Sequence, residues 1–243
     1  MGMMPKKVAF FFVFLSMASL ANSSTEKSER ISAASDPLHI TSDELFHRIT
    51  DTSNQIKDLS AQIDLSLKLQ NLGLSFNLSG DFYYKQPDKM KLKLHHIPEF
   101  LASRQNEAVG TTMILQDIRR NMTKNYQGRI LTELPFLGEN CYLVELIPKT
   151  KQNVNKILLW INAANYTIPQ VIMEYDDGSN FMQRKTFVET DHVFVVSKME
   201  TTVESPDVQA DIQATFKDYQ INKGLPDTLF DNSSGQQQAL STF

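Results

Sequence analysis

The residues able to do acid–base, nucleophilic or metal chemistry are few in this sequence, and they are scattered. The five histidines include the adjacent pair His95 and His96 on a predicted strand. Neighbouring residues of a strand point to opposite faces, so these two imidazoles cannot share a metal ion. Cys141, the only cysteine, alternates with Leu143 in another predicted strand, which indicates a small buried side chain rather than a nucleophile.

Sequence motifs of familiar catalytic and metal sites are missing as well. The sequence contains no HExxH, paired CxxC, GxSxG or P-loop pattern. Residues 176–180 (DDGSN) partly match a calcium-binding loop, but the twelfth position, which must be acidic, is Phe187. The Asp-Gly pair in this segment is better interpreted as a hairpin turn. We therefore expect a protein that is not an enzyme and that needs no metal ion or cofactor.

Apolar surface is the chemistry that the sequence does offer, on strands with one apolar and one polar face. In residues 80–94 (GDFYYKQPDKMKLKL), Phe82 and Tyr84 share one side of a first strand, and Met90 and Leu92 share one side of a second. Pro87 cannot donate a backbone hydrogen bond, so it belongs in the connection between them. Such faces either fill a core or line a cavity, and periodicity alone favours the core.

About ten antiparallel strands and two or three helices explain the pattern of residues 41–230. A capping box at Thr41–Glu44 begins a helix predicted over residues 42–57, and helical spacing of apolar residues predicts a second helix over 111–126 that ends at Gly128. The predicted strands span 60–69, 74–85, 89–95, 129–134, 140–147, 155–162, 169–175, 180–189, 192–203 and 208–221. This order predicts an α+β fold, mainly antiparallel β, built as an unclosed or half β-barrel.

The two ends of the chain differ from its middle. Lys6 and Lys7, the apolar run 8–15 and the small residues 19–21 predict a secretory signal peptide over residues 1–21. No cysteine follows this run to carry a lipid anchor. We expect a flexible lead-in over residues 22–40, one domain over 41–230 and a disordered tail over 231–243.

Net charge excludes some classes of partner. Removing residues 1–21 removes Lys6 and Lys7 and no acidic residue, so the formal net charge goes from −4 to −6. An acidic chain is a poor ligand for nucleic acids and for anionic membrane surfaces. With one cysteine there is no internal disulfide, so we expect the core to supply the stability.

Several segments, in a fixed order, resemble the LolA-like family of outer-membrane lipoprotein-sorting proteins. They are GDFYYKQPDK (80–89), GENCYLVELIPK (138–149), LLWIN (158–162), YDDG (175–178), FKDYQIN (216–222) and GLPD (224–227). The resemblance covers about residues 42–230. It implies an unclosed antiparallel β-barrel with helices as a lid, and a concave apolar face that holds acyl chains. It further implies a soluble periplasmic carrier that takes a lipoprotein or lipid towards the outer membrane.

One position departs from the family pattern. The classical carrier has an arginine directly before the proline of the first segment, where it helps to lock the lid, and this chain has Gln86 there. A glutamine can still donate a hydrogen bond to a helix carbonyl, but without charge assistance. Gln86 is therefore a candidate for lid interaction, while gating that depends on an arginine does not carry over to this chain.

The candidate site is a set of apolar residues that we predict to line an acyl-chain cavity. The set is Leu65, Leu67, Phe82, Tyr84, Met90, Leu92, Trp160, Met173 and Tyr175. The resemblance implies lipoprotein acyl chains or lipid as the ligand, and an inner-membrane transporter and an outer-membrane acceptor as partners of a monomeric protein. The alternative is an envelope adaptor of the same fold that associates with a membrane transporter, has a filled core and takes no cargo.

Overall fold

The computed structural model describes residues 40–87, 89–95, 125–150, 153–206 and 208–230. One α-helix, α1 (Ser42–Ser53), precedes the strands in this part of the chain. The strands are β1 (Asp58–Leu69), β2 (Leu74–Lys85), β3 (Lys89–His95), β4 (Tyr126–Phe136), β5 (Glu139–Pro148), β6 (Val154–Asn162), β7 (Gln170–Tyr175), β8 (Asn180–Thr190), β9 (Val193–Glu204) and β10 (Gln209–Ile221). Short 3-10 helices span Gln70–Leu72 and Asp227–Phe230.

All ten strands form one sheet, in the order β3-β2-β1-β10-β9-β8-β7-β6-β5-β4. Every pairing is antiparallel, and each strand pairs with a neighbour in sequence except where β1 pairs with β10. The strands β3 and β4 follow each other in the chain yet form opposite edges of the sheet. The predicted mainly antiparallel, unclosed sheet is therefore confirmed.

The helix α1 begins where the capping box places it. The hydroxyl of Thr41 accepts a hydrogen bond from the backbone N–H of Glu44 at 3.2 Å. The helix ends at Ser53, four residues before the predicted end, because the chain must turn there to enter β1 at Asp58. Ile56, the last apolar residue of the predicted stripe, is fully buried outside the helix.

The predicted second helix requires a correction at its end. Residues 111–124 lie outside the described residues, and β4 already begins at Tyr126. Gly128 was predicted to end that helix, but it lies inside β4, opposite Leu146 of β5. In the part of the chain that the structure describes there is one α-helix, so the count of two or three is not confirmed. Gly128 therefore does not end a helix. It lets α1 pack closely against β4, because α1 lies directly over it.

Cross-strand register gives the sheet one largely apolar side, which we call the inner face. Directly opposed residues of an antiparallel pair lie on the same face. One row of partners runs through nine strands: Phe76, Leu67, Ile212, Thr201, Gln183, Val171, Leu159, Val144 and Ile130. The side that carries the alternate residues is called the outer face.

The helix α1 packs on the inner face through Leu45, Phe46 and Ile49, all buried. A Cβ atom added to Gly128 would lie 2.5 Å from the Cε2 and Cζ atoms of Phe46, so the ring rests directly on the glycine. These side chains join buried residues of β1 and β4–β10 in one core cluster. Burial of an apolar side chain of this size stabilises a protein by roughly 1.5–3 kcal/mol.

A second core cluster on the inner face lies at the β1–β3 end of the sheet and includes Leu59, Ile63, Phe82 and Phe216. The rings of Phe82 and Phe216 meet edge to face, with centroids 6.0 Å apart. Gly80 of β2 lies beside this cluster, and a Cβ atom there would lie 2.4 Å from the carbonyl oxygen of Lys93 in β3. The glycine therefore allows the edge strand to pair closely with β2.

None of the helices in the described ranges has the length and apolar character that a membrane-spanning helix requires.

Candidate functional site

Eight of the nine predicted lining residues lie on the inner face. Leu65 and Leu67 of β1, Phe82 and Tyr84 of β2, and Met173 of β7 are buried. The other three are half-buried: Met90, Leu92 and Tyr175. The strand register places these eight side chains on one face, where they divide between the two core clusters, and their contact with an acyl chain stays a prediction.

Trp160 is the exception, because it lies on the outer face. Its neighbours in β6, Leu159 and Ile161, are buried on the inner face, and alternation directs Trp160 to the other side. The Trp160 ring lies 5.7 Å from the ring of Phe136, measured between centroids. The guanidinium of Arg184 lies 5.9 Å above the same Phe136 ring. Trp160 therefore belongs to an outer cluster and not to the set of inner-face residues.

Gln86 contacts the end of α1. Its side-chain amide donates a hydrogen bond to the carbonyl oxygen of Ser53, the last residue of the helix, at 3.3 Å. Its backbone N–H donates to the carbonyl oxygen of Lys57 at 2.8 Å. These contacts connect the β2–β3 turn to the segment between α1 and β1. The last turn of α1 contains no basic residue, so this neutral amide contacts the partially negative end of the helix.

Asn222, just after β10, holds the same segment from the other side. The Asn222 side-chain oxygen accepts from the backbone N–H of Lys57 at 2.7 Å, and its amide donates to the carbonyl oxygen of Gln55 at 2.9 Å. Its φ of 55° lies in the left-handed region, which asparagine tolerates better than most residues. The buried carboxylate of Asp58 accepts from the backbone N–H of Gly224 at 3.1 Å. Sequence analysis did not identify this clamp, because its partners are more than 160 residues apart.

The segment 225–230 lies along the β2–β3 hairpin and is held by lysines of the outer face. Lys85 donates to the carbonyl oxygen of Leu225 at 2.6 Å, and Lys91 donates to that of Leu229 at 2.8 Å. Lys89 and Lys85 contact the Asp227 carboxylate at 2.8 and 2.9 Å. Hydrogen bonds from Lys89 and Lys85 lower the pKa of Asp227 to about 2. These three lysines thus attach the end of the domain to the β2–β3 hairpin.

Three buried polar side chains interrupt the inner face, and sequence analysis missed them. Gln183 and Lys185 of β8 and Thr201 of β9 are 0%, 3% and 2% exposed. The amide of Gln183 donates to the Thr201 hydroxyl at 3.3 Å. The signal was present in the sequence, since Gln183 and Lys185 alternate in phase with the apolar Phe181.

Burial and neighbouring groups also change the acidity of an inner-face tyrosine. Burial raises the pKa of Tyr175, and Tyr126 and Asp177 raise it further. Its hydroxyl lies 3.5 Å from the sulfur of Met173. Tyr175 is therefore a neutral group at physiological pH.

A polar groove of about 300 Å³ occurs between β1, β9 and β10, where most of its lining residues belong to the outer face. Lys68, Glu200 and Asp211 contribute charges to it, which suits water and ions better than acyl chains. Across the described ranges, no three histidine, cysteine, aspartate or glutamate residues are placed to hold a metal ion.

Solved structures of three proteins share this architecture. A DUF1329 family protein from Desulfovibrio piger has a TM-score of 0.58 at 15% identity, over 78% of this chain and 95% of that one. A LolA superfamily protein from Nitrosomonas europaea has a TM-score of 0.55 at 12% identity, over 79% and 98% of the two chains. An outer membrane lipoprotein-sorting protein domain from Vibrio parahaemolyticus has a TM-score of 0.53 at 12% identity, over 76% and 95%. Similarity at these identities shows the fold, which is LolA-like.

Comparison with curated proteins finds no sequence match to this chain. The model of a protein family described as "Uncharacterized protein" matches residues 94–234. The match begins in β3 and includes every strand from β4 to β10. Because it covers more than half of the 243 residues, the chain belongs to this family, and its fold is LolA-like.

Proposed function

We propose that the protein is a soluble periplasmic carrier that binds acyl chains of a lipoprotein or lipid and takes them towards the outer membrane. The observation that carries the proposal is the inner face, a largely apolar surface of an unclosed sheet with α1 packed upon it. The LolA-like fold, shared with a lipoprotein-sorting domain, supports the same reading. The signal peptide predicted over residues 1–21 would direct the protein across the inner membrane.

The binding chemistry follows from the inner face itself. An acyl chain has no hydrogen-bonding groups along its length, so it needs only a dry apolar surface. Each buried methylene contributes about 0.8 kcal/mol, and a long chain is therefore held without a charged anchor. To admit it, α1 must move away from the sheet, so Phe46 would leave Gly128 and Gln86 would lose Ser53. The helix acts as the lid in this proposal.

The test combines lipid identification with photo-crosslinking of the wild-type protein. Lipids extracted from the purified protein are identified by mass spectrometry, and a fatty acid with a terminal diazirine is then bound and photoactivated. We expect labelled peptides to carry the modification at Leu65, Leu67 or Met173. Met182 and Trp160, on the outer face, provide the control and should remain unlabelled. Protein that is empty in every preparation and takes up no acyl probe would refute the proposal.

An envelope adaptor is the second candidate, and two observations favour it. Most of the eight inner-face residues of the candidate set are already buried, as a filled core requires. The outer face also has an apolar patch, defined by Phe136, Leu158, Trp160, Ile172 and Met182, which could contact a protein partner. Crosslinks from Met182 to an envelope protein, together with absent acyl labelling of the inner face, would favour the adaptor over the carrier.

A further inference from the structure

The polar side chains of the inner face form a compact group among apolar neighbours. Gln183 lies in the cross-strand row between Val171 and Thr201, and Lys185 lies in the next row beside Met199. These two rows also contain Leu67 and Leu65, respectively, on β1. The group is therefore on the surface that the carrier proposal assigns to acyl chains. Gln183 and Lys185 on β8 lie three strand spacings, about 14 Å, from β1, and Thr201 on β9 lies one spacing nearer.

The Gln183 amide is only half satisfied. Its Nε2 group donates to the Thr201 hydroxyl at 3.3 Å, but no group within the described ranges donates a hydrogen bond to its Oε1 atom. The residue is 0% exposed. A buried acceptor without a partner is unfavourable, and the penalty disappears when a donor is supplied. Methionine or leucine would pack in this row without burying an unpaired polar atom. A ligand that supplies a donor would explain why a glutamine occupies the position instead.

We propose that Gln183 and Thr201 form a polar subsite for the head of the acyl cargo. This inference rests on the proposed carrier function. The free Oε1 acceptor selects a ligand whose acyl chain is followed by a hydrogen-bond donor, namely an amide N–H or a hydroxyl. The chain itself extends along the inner face towards Leu65 and Leu67. An acyl chain joined through an ester oxygen offers no donor at this point and leaves Oε1 unpaired.

A matched pair of probes tests the subsite on the wild-type protein. N-hexadecanoylglycine and O-hexadecanoylglycolate have the same chain and the same terminal carboxylate, and they differ only in an N–H replaced by an oxygen. Any effect of Lys185 on the carboxylate is common to both probes. We expect the amide probe to bind about fivefold more tightly, which is the effect of one net neutral hydrogen bond. Direct titration by calorimetry measures the ratio.

Two variants locate the effect. Gln183→Met should bind both probes with equal affinity, because it retains the size of the side chain and removes the acceptor. Gln170→Met is the matched control, since Gln170 is a buried glutamine of the neighbouring strand that lies on the outer face and accepts from Arg184 at 3.2 Å. The control should retain the fivefold preference. Without ligand, Gln183→Met should melt no lower than the wild type, because the unpaired acceptor is gone.

The outcomes separate this inference from the carrier proposal. Equal affinities in the wild type, tighter binding of the ester probe, or a preference that persists in Gln183→Met would overturn the subsite while acyl binding remains. A wild-type protein that binds neither probe would refute the carrier function and the subsite together.

Discussion

Replacing Gly128 by alanine tests whether α1 is seated on the sheet as the structure has it. In the interior of a strand, alanine is ordinarily favoured over glycine by roughly 0.5–1 kcal/mol. At this position the new Cβ would lie 2.5 Å from the Cε2 and Cζ atoms of Phe46 and 3.5 Å from the Cβ of Ser42. Carbon atoms prefer to be about 3.5–4.0 Å apart, so the ring must move by about 1 Å. We expect the overpacking to destabilise the protein by about 1–3 kcal/mol.

Chemical unfolding of four proteins isolates this contact. They are the wild type, Gly128→Ala, Phe46→Leu and the double variant. Phe46→Leu alone should cost about 1 kcal/mol, because a buried ring is replaced by a smaller side chain. In the double variant leucine leaves room for the new methyl group, so the two losses should not add. The expected coupling is at least about 1 kcal/mol in favour of the double variant.

Gly80→Ala provides the matched control. It also adds a methyl group to a strand glycine, but the atom that it meets is the carbonyl oxygen of Lys93, 2.4 Å away. Phe46→Leu should therefore not rescue it. Additive losses for Gly128 and Phe46, or a Gly128→Ala variant more stable than the wild type, would refute the seating of Phe46 on Gly128. If the carrier proposal holds, Gly128→Ala should also speed the exchange of acyl probes, because it displaces the lid.

Three further predictions concern the contacts around α1 and the end of the domain. Gln86→Arg places a cation beside the carbonyl oxygen of Ser53 and should add roughly 0.3–1 kcal/mol to the free energy of unfolding; an unchanged value would contradict the contact. If the carrier proposal holds, the same variant should slow acyl-probe transfer to vesicles. Asn222→Ala should lower the free energy of unfolding by about 2 kcal/mol. Asn222→Gly should lower it by about half as much, because glycine tolerates the φ of 55°; equal melting temperatures of the two variants would contradict this. Because the pKa of Asp227 is lowered to about 2 by Lys89 and Lys85, the attachment of this carboxylate is complete above its ordinary pKa of 3.8 and is lost as the pH falls towards 2. An NMR titration of Asp227 with a midpoint near 3.8 would contradict that ion pair.

Much of the sheet could be predicted because alternation is a local signal. The bounds of β2 and β3 agree with those predicted from alternating side chains around the turn at Pro87. The capping residues of α1 also identified its first turn. The pairing of β1 with β10 has no such local signal, because it joins residues about 150 positions apart. It is determined by the order of all ten strands in the sheet and not by the sequence of any one segment.

The position of Trp160 shows where alternation fails. Residues 157–161 (ILLWI) are apolar without a break, so the phase of the strand is ambiguous within them. Size alone suggested that the tryptophan belongs with the core. The structure instead directs Leu159 and Ile161 inwards, and Trp160 packs with Phe136 on the outer face. The phase is set by Val171 and Val144, the partners of Leu159 in the neighbouring strands, which sequence reasoning could not assign.

The apolar contacts that hold α1 on the sheet also determine how much binding free energy a ligand needs in order to displace the helix. Leu45, Phe46 and Ile49 are its buried residues, and at roughly 1.5–3 kcal/mol each they account for about 5–9 kcal/mol. The neutral hydrogen bond from Gln86 to Ser53 adds about 1 kcal/mol, and the Asn222 hydrogen bonds hold residues 55–57, beyond the end of the helix. An acyl chain contributes about 0.8 kcal/mol per buried methylene, so roughly six to eleven methylenes offset the loss of the helix contacts. The roughly 14 methylenes of a hexadecanoyl chain would contribute about 11 kcal/mol, which exceeds the helix contacts by about 2–6 kcal/mol. In the carrier proposal, the helix contacts would therefore offset about half or more of the free energy of cargo binding, which would favour release without a charged residue at position 86.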